Sequence, residues 1–383
     1  MDIAFTDFLT RFSLALDLLN PENGPRGIRR AYIAMTILQQ QGTSLDVQQN
    51  IFIAALLYEL GSKRVPGLSH CQDQCQDIPL IAKSAPLIFE KSVLHAHSRL
   101  LDLVDNVDLL ALYDFPRGHY PASAIETVCD SIGSRYSLDD ILCLRELEPY
   151  PEIWLKLASP TLIDDIRASS PLSTQTLHDD ELAQLAGLLA RIIDRHCQYT
   201  EPYSARVAEY SVRLARLYGF SNSGIKEMHL AGLLHGVGKL ALSTEHFTNP
   251  ALLTADKRKE FQAYPLATRE ILSGIPGMYN TAIIASRQHE QPNGKGFPDA
   301  LYGTQLDLSA RIISVACAYV SLLVGCHSKK EFSPVRALEE MKSKSAAGLL
   351  DPDIVDALEM TISRGSSTVD CTIPVNALLE GVS

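Results

Sequence analysis

Apolar residues recur at helical spacing along most of the chain. Val207, Tyr210 and Leu214 fall on one face of a helix, and Ile225 and Met228 share a face in the segment that follows. Few segments alternate apolar and polar residues with a period of two, which is the spacing of a half-buried strand. The pattern therefore predicts an all-α protein.

The chain also resembles itself at an offset of 177 residues, with no gap between positions 29 and 61. Each copy predicts a helix, a short turn at a glycine, and a second helix. Such a period is far too long for a solenoid and indicates a duplicated domain. The matched pairs are Arg29 and Arg206, Ala31 and Ala208, Gly42 and Gly219, Ser44 and Ser221, Ala54 and Ala231, Leu56 and Leu233, Leu57 and Leu234, and Gly61 and Gly238.

A polar stretch that contains Pro171 separates the two copies and is typical of a linker. We predict a first domain over residues 1–165, a linker over 166–180 and a second domain over 181–383. The opening segment has a helical apolar pattern, carries two aspartates and lacks a basic start. We expect a helix that packs on the first domain, not a secretion signal.

Composition narrows the range of partners. Hydrophobic residues make up 46% of the chain and charged residues 21%, as in an ordinary globular protein. The formal net charge of −11 argues against nucleic-acid or anionic-membrane binding, since both need dense Lys and Arg. No apolar run is long enough to predict a membrane span. The eight scattered cysteines favour reduced thiols and a cytoplasmic location.

Two segments of the second copy carry recognisable signatures. Residues 231–239 read AGLLHGVGK, which resembles the signature of the HD superfamily of metal-dependent phosphohydrolases, where His and Asp are adjacent. Residues 288–298 read QHEQPNGKGFP, which is similar to the second signature of the HD-GYP subfamily. The resemblance implies a helical HD fold in the second copy. Through the repeat, it predicts two tandem HD-like helical bundle domains.

The same resemblance implies hydrolysis of cyclic dinucleotides such as cyclic di-GMP, with two or three metal ions, often iron or manganese. Hydroxide formation and charge on the phosphoryl oxygens are what such ions supply. Only His235 and His289 match the family's ligands, and both metal-bridging carboxylates are missing. The replaced ligand positions are Tyr203, Gly236, Tyr264, Gln288 and Cys317.

Without an anionic bridge, two imidazoles do not hold two cations close together. We therefore expect a non-catalytic signalling or interaction module, without a cofactor, that binds a protein partner or a cyclic dinucleotide. One alternative is a phosphodiesterase or other phosphohydrolase with a reduced site, in which His235 and His289, with Cys317 or Glu290, hold iron, manganese or zinc. A further alternative is a structural subunit that forms a homodimer.

Several other positions carry expectations from the resemblance. Lys239 stands where the family has a lysine near the substrate phosphate, and Arg311 is a second candidate for phosphate binding. Lys239 and Glu290 are residual catalytic candidates, or form an ion pair with each other. We expect the tyrosines to fill the volume of the lost ligands. A loop associated in the family with protein contacts, including diguanylate cyclase domains, is kept as Gly294, Gly296, Phe297 and Pro298.

The first copy is more eroded than the second. Its equivalents of the ligand positions are Arg26, Tyr58 and Glu59, which predicts a scaffold or interaction domain. A loose cluster of metal-like spacing lies nearby, but no second pair of ligands accompanies it, so we predict no metal there. The two histidines further on do not share a helical face and are taken as surface or packing residues. These positions are His70, Cys71 and Cys75, and then His95 and His97.

Overall fold

The structure, a computed structural model, describes residues 2–61, 71–89, 96–114, 122–129, 136, 138–199, 202–248, 253–324 and 331–364. Helices make up most of these residues, which confirms the all-α prediction. In the described ranges the only strands are two residues long. They are β1 (Ile3–Ala4) and β2 (Thr176–Leu177), which pair with each other.

The chain divides into two compact units. The first unit comprises residues 4–176, and its 3-10 turns cover Pro21–Asn23 and Tyr58–Gly61. Its helices are α1 (Phe5–Asp17), α2 (Arg26–Gln40), α3 (Leu45–Leu57), α4 (Cys71–Asp77), α5 (Pro79–Ala82), α6 (Ala85–Phe89), α7 (Ala96–Asp114), α8 (Ala122–Cys129), α9 (Leu138–Leu147), α10 (Pro151–Leu157) and α11 (Leu162–Ala168).

The second unit comprises residues 177–383 together with residues 1–3, and a 3-10 turn covers Val237–Ala241. Its first helix starts at Asp179, so residues 169–178, between the last helix of one unit and the first of the other, contain no helix. Its helices are α12 (Asp179–His196), α13 (Tyr203–Leu217), α14 (Asn222–Leu234), α15 (Glu245–Thr248), α16 (Ala255–Ser273), α17 (Tyr279–Ser286), α18 (Leu308–Leu323), α19 (Pro334–Ala346) and α20 (Pro352–Arg364).

The local structure follows the internal repeat. Helices α2 and α13 both have 15 residues, and α3 and α14 both have 13, at the same offset as the sequence match. Gly42 and Gly219 end the first helix of each pair with φ values of 62° and 71°. Glycine adopts this left-handed conformation without the steric cost of a Cβ, so it closes a helix readily.

The opening segment forms α1, which packs on α2 and α3 within the first unit. Phe5, Phe8 and Phe12 are buried along one of its faces. Spacings of three and four residues place these rings on the same side of a helix. Among the described helices, none is both long and apolar enough to cross a membrane.

Close backbone approaches position the second unit's signature residues. A Cβ added to Gly232 of α14 would lie 2.4 Å from the Cα of Ala208 in α13, so these two helices touch through their backbones. A Cβ on Gly238 would lie 2.1 Å from the carbonyl oxygen of Tyr264 in α16. The 3-10 turn that follows α14 is thereby held against α16, and the start of α13 lies beside the end of α14.

Candidate functional site

The structure brings most of the singled-out positions of the second unit into one region. Tyr203 begins α13, His235 directly follows α14, and Tyr264 lies in α16. A cleft of about 250 Å³ opens on this region. Its lining includes Tyr203, Gln288, His289, Glu290, Phe297 and Cys317.

His235 is fully buried, and only one of its two ring nitrogens has a hydrogen-bond partner among the described residues. Its Nδ1 lies 2.8 Å from the carbonyl oxygen of Gly232, so Nδ1–H donates to that oxygen and Nε2 carries the lone pair. Within the described part of the chain this buried Nε2 has no hydrogen-bond partner. Burial, together with the positive charge of Lys239, lowers the pKa of His235 to about 3. The side chain is therefore a neutral imidazole that resists protonation, and its Nε2 carries a lone pair of the kind that binds a metal ion.

The other surviving histidine is already engaged. The hydroxyl of Tyr264 lies 2.7 Å from Nε2 of His289, and the imidazole stacks on Phe297 with ring centroids 4.5 Å apart. Burial, and secondly the charge of Lys239, lower the pKa of His289. A tyrosine at one former ligand position thus occupies the nitrogen of another.

Gln288 and Cys317 replace a histidine and a carboxylate with neutral groups. The Gln288 amide donates to the carbonyl oxygen of His235 at 2.9 Å, and the Cys317 thiol donates to Oε1 of Gln288 at 3.6 Å. Burial raises the pKa of Cys317 to about 12, so it is a thiol at neutral pH. Neither side chain supplies an anionic ligand.

Lys239 lies inside a group of three tyrosine rings. Its Nζ is 5.6, 5.3 and 5.4 Å from the ring centroids of Tyr199, Tyr203 and Tyr264. The hydroxyl of Tyr199 is 3.3 Å from Nζ, and Tyr199 stacks on Tyr203 at 4.3 Å. The sequence reasoning missed Tyr199. The only signal in the sequence was that Tyr199 lies just before Tyr203, which stands at a former ligand position.

Glu290 and Arg311 both have partners within the protein. The Glu290 carboxylate accepts the backbone N–H of Asp299 at 2.7 Å and of Leu301 at 2.9 Å, so it holds the loop and does not pair with Lys239. The Arg311 guanidinium donates to Asp351 at 2.9 Å and to backbone carbonyls, outside the cleft lining. These contacts use only part of the guanidinium N–H donors, and the expectation that Arg311 binds phosphate stays a prediction.

The loop with the Gly-Phe-Pro sequence needs its glycines. Gly294 has a φ of 74°, and a Cβ on Gly296 would lie 2.4 Å from the backbone nitrogen of Gln291. Phe297 reaches the cleft and packs on an imidazole, while Pro298 follows it in the turn. The loop is thus part of the cleft wall.

In the first unit, the equivalent positions form a buried ionic network. Arg26 pairs with Glu59 at 3.2 Å, with Asp108 at 3.4 Å, and with Asp105. Arg30 pairs with Glu59 at 2.8 Å and with Asp105 at 2.7 Å. All these groups are buried or nearly so. The carboxylate at position 59 is therefore neutralised by guanidinium groups.

The remaining sequence candidates lie in the first unit, and the structure describes some of them. Cys71 and Cys75 are buried in α4, and His97 is exposed in α7. His70 and His95 lie outside the described residues. No group of three or more His, Cys, Asp or Glu side chains that could hold a metal ion occurs among the residues described.

The two-metal centre implied by the family does not fit these residues. A bridging carboxylate is missing at Gly236 and Cys317, and His289 is bound by a tyrosine. Among the described residues at the expected ligand positions, His235 keeps a buried Nε2 without a hydrogen-bond partner. The side chains left at the expected ligand positions that would hold an ion are His235 and His289, and Tyr264 occupies Nε2 of the second.

Residues 187–354 match the family model described as HD domain. This match confirms the resemblance to the HD superfamily recognised in the sequence: the second unit contains an HD domain.

The sequence similarity to known proteins extends beyond the HD domain. The chain is 25% identical over 382 aligned residues to "3'3'-cGAMP-specific phosphodiesterase 1" of Vibrio cholerae serotype O1, with 90% of this chain and 88% of that protein covered. It is 31% identical over 172 residues to "Cyclic di-GMP phosphodiesterase response regulator RpfG" of Xanthomonas campestris, with 44% of this chain and 45% of that protein covered.

A solved structure shows the same fold. The crystal structure of a cyclic GMP-AMP specific phosphodiesterase of V. cholerae, V-cGAP3, matches with a TM-score of 0.66 and 18% identity, over 95% of this chain and 98% of that one. At this level of identity the match bears on the fold alone.

These relatives correct the leading functional prediction. We expected a non-catalytic signalling module, because the metal ligands are mostly replaced. That prediction was wrong, since the relatives that align over most of this chain are named phosphodiesterases. The alternative drawn from the sequence, a phosphodiesterase with a reduced metal site, agrees better with them.

Proposed function

We propose that this protein is a cyclic dinucleotide phosphodiesterase that works with a reduced metal site. The observation that carries the proposal is the alignment of 90% of the chain with 88% of a protein named as a 3'3'-cGAMP-specific phosphodiesterase. Such coverage includes both units, so the two proteins share more than the HD domain.

The cleft offers groups suited to a nucleotide. The stacked rings of His289 and Phe297 form part of its wall, and an aromatic surface is what a flat base packs on. Lys344, Ser321 and Gln291 bring polar groups to the same cleft. A volume of about 250 Å³ accepts one base with its sugar, so we expect part of the cyclic dinucleotide to enter the cleft.

His235 is the residue on which the chemistry depends. Its neutral imidazole, fixed by Gly232, presents a free Nε2 in a buried site. A single bound ion would supply a hydroxide at neutral pH and positive charge next to the phosphoryl oxygens. With only one ion and no bridging carboxylate, we expect slow turnover.

A hydrolysis assay tests the proposal. The purified chain is incubated separately with 3'3'-cGAMP and cyclic di-GMP, with Mn²⁺ or with Fe²⁺ under anaerobic conditions, and linear products are separated by chromatography. We expect product from the unchanged chain, loss of product in His235→Ala, and retention in His97→Ala, which alters an exposed histidine of the first unit. Absence of product with both substrates and both metals would reject the proposed function.

Three further expectations stay predictions. They are a protein partner, such as a diguanylate cyclase domain, at the loop of Gly294, Gly296, Phe297 and Pro298, formation of a homodimer, and a cytoplasmic location. Since Phe297 lines the cleft, a partner bound at this loop would also affect access to the site. A pull-down with the unchanged chain and with Phe297→Ala, paired with the hydrolysis assay, tests the first.

A further inference from the structure

The cleft of the second unit has one basic side chain among the described residues that line it, and this side chain is Lys344. The lining also contains the carboxylate of Glu290, which is 1% exposed and binds backbone N–H groups of the loop. Each phosphodiester group of a cyclic dinucleotide carries a negative charge, and a buried carboxylate repels such a charge. A cation of the cleft has to offset this repulsion, and Lys344 supplies one.

The lysine that the family places near the substrate phosphate does not line this cleft. Lys239 is only 5% exposed, and its Nζ lies 5.6, 5.3 and 5.4 Å from the ring centroids of Tyr199, Tyr203 and Tyr264. The faces of these rings attract the ammonium, and a phosphate group would have to displace them to reach it. Contact between phosphate and a lysine in the cleft therefore calls for a cation that the cleft exposes.

Lys344 stands between the interior of the cleft and solvent. It lies in the last turn of α19, and its side chain is half-buried. The backbone carbonyl oxygen of Lys344 accepts the N–H of Leu349 at 3.0 Å, and Leu349 and Leu350 line the same cleft. The aliphatic stem of a lysine packs on apolar groups while its ammonium tip reaches water or an anion, so a half-buried position suits this side chain.

The end of α19 is fixed to the loop that forms another part of the cleft wall. Arg311 of α18 donates to the carbonyl oxygen of Gly303 after the loop, and also to Asp351 at 2.9 Å. A Cβ on Gly348 would lie 3.7 Å from the Cβ of Asn293, so the turn after α19 packs on the loop directly. These contacts hold two walls of the cleft together and fix the helix end from which the lysine projects.

We propose that Lys344 binds a phosphate group of the cyclic dinucleotide while the attached nucleoside enters the cleft and its base packs on Phe297. The base then lies inside, and the phosphate linked to its sugar lies at the half-buried edge. There the ammonium donates to the phosphoryl oxygens that carry the negative charge. Lys344 is thus a binding residue that positions the phosphodiester. This inference rests on the proposed function, since it takes the cyclic dinucleotide as the ligand.

Calorimetric titration of the full chain tests the inference, with a chelator present so that binding is measured without turnover. The probes are 3'3'-cGAMP and cyclic di-GMP. Lys344→Gln should weaken the binding of both by about ten- to hundredfold, the range for a hydrogen bond to a charged group. Lys344→Arg keeps the charge and should keep most of the affinity. The matched control is Lys342→Gln, which removes a lysine of the same helix outside the cleft lining and should leave the affinity unchanged.

Two further readouts separate a phosphate contact from a structural effect. The affinity of the unchanged chain should fall more steeply with rising ionic strength than that of Lys344→Gln, because salt screens the attraction between ammonium and phosphate. In the hydrolysis assay with Mn²⁺, Lys344→Gln should raise KM and change kcat little, because the lysine holds the substrate and does not activate water.

Equal affinity of Lys344→Gln and Lys342→Gln would overturn the inference. A lysine that only complements the negative end of a helix would give that result, together with a lower free energy of unfolding in Lys344→Gln. Binding that depends on Lys344 without any hydrolysis would reject the proposed function and keep the inference. Hydrolysis with an unchanged KM in Lys344→Gln would do the reverse, and absence of both binding and hydrolysis in the unchanged chain would reject both.

Discussion

The hydroxyl of Tyr264 lies 2.7 Å from Nε2 of His289. Both residues stand at positions where the HD-GYP resemblance implies a histidine ligand, yet one now binds the other. Tyr264 thereby removes two potential ligands from a metal. One is the imidazole that the resemblance implies at position 264, and the other is Nε2 of His289, which the tyrosine hydroxyl binds. At the same time the ring of Tyr264 faces the ammonium of Lys239.

Removal of this hydroxyl alone should be measurable. Tyr264→Phe keeps the ring beside Lys239 and deletes the bond to His289, so the free energy of unfolding should fall by about 1 kcal/mol. Urea unfolding followed by circular dichroism gives this value. Tyr279→Phe is the matched control, because Tyr279 is 65% exposed, and equal losses in the two variants would contradict the role given to the bond.

The buried imidazole of His235 should make stability depend on pH. Its pKa is about 3 in the folded chain against an ordinary value of 6.5, so below that value the unfolded chain binds a proton that the folded chain does not. Stability should therefore be lost as the pH falls from 6.5 toward 3. Between about pH 7 and pH 5, His235 should lower the free energy of unfolding by an amount on the order of 2 kcal/mol.

His235→Gln isolates this share. Asp194 and Asp17 have raised pKa values of about 6 and about 7, so they add stability as the pH falls. Both are present in the variant and in the unchanged chain, so their contribution cancels when the two stabilities are subtracted. The variant should lose less stability than the unchanged chain between these pH values, measured by urea unfolding at each pH. Parallel pH profiles would show that His235 is not a buried neutral imidazole.

The ionic network of the first unit should tolerate no single loss of charge. Arg30→Met removes one partner and leaves Glu59 and Asp105 buried without it, which should destabilise the chain by about 3–5 kcal/mol. Thermal unfolding measures this loss. Lys83→Met breaks an ion pair in which both groups are exposed and should have little effect, since water screens such pairs. A small effect of both variants would mean that water reaches the network.

The contact of Gly238 with Tyr264 should be strict. Gly238→Ala places a Cβ 2.1 Å from a backbone oxygen, so α16 has to move, at a cost of about 1–3 kcal/mol. Gly187→Ala in α12 is the control, because the nearest atom would be 3.9 Å away. It should be neutral or stabilise the helix by up to about 1 kcal/mol. Chemical unfolding of both variants compares them, and an unchanged Gly238→Ala would refute the close approach.

Much of the second unit could be predicted from local signals. The helical spacing of Val207, Tyr210 and Leu214 predicted α13, and the glycine at 219 predicted where it ends. The repeat predicted a helix, a turn at a glycine and a second helix in each unit, as α2 with α3 and α13 with α14 show. These features depend on residues that are near one another along the chain, so periodicity and backbone preference are sufficient.

The sequence by itself also determined which chemical groups are absent. Neither Gly236 nor Cys317 has a carboxylate, so neither can supply the carboxylate bridge that the resemblance implies, whatever the fold. What the chain does with the remaining groups was beyond the sequence. The function expected from these losses alone was wrong, because a count of ligands says nothing about likeness over the whole chain.

Only the tertiary structure decided where the charges lie. Lys239 is surrounded by Tyr199, Tyr203 and Tyr264, which come from two separate parts of the chain. The Glu290 carboxylate accepts hydrogen bonds from backbone N–H groups and does not pair with Lys239. A buried charge takes whichever partners the packing of distant helices brings near it, and that choice is made by the whole fold, not by spacing along the sequence.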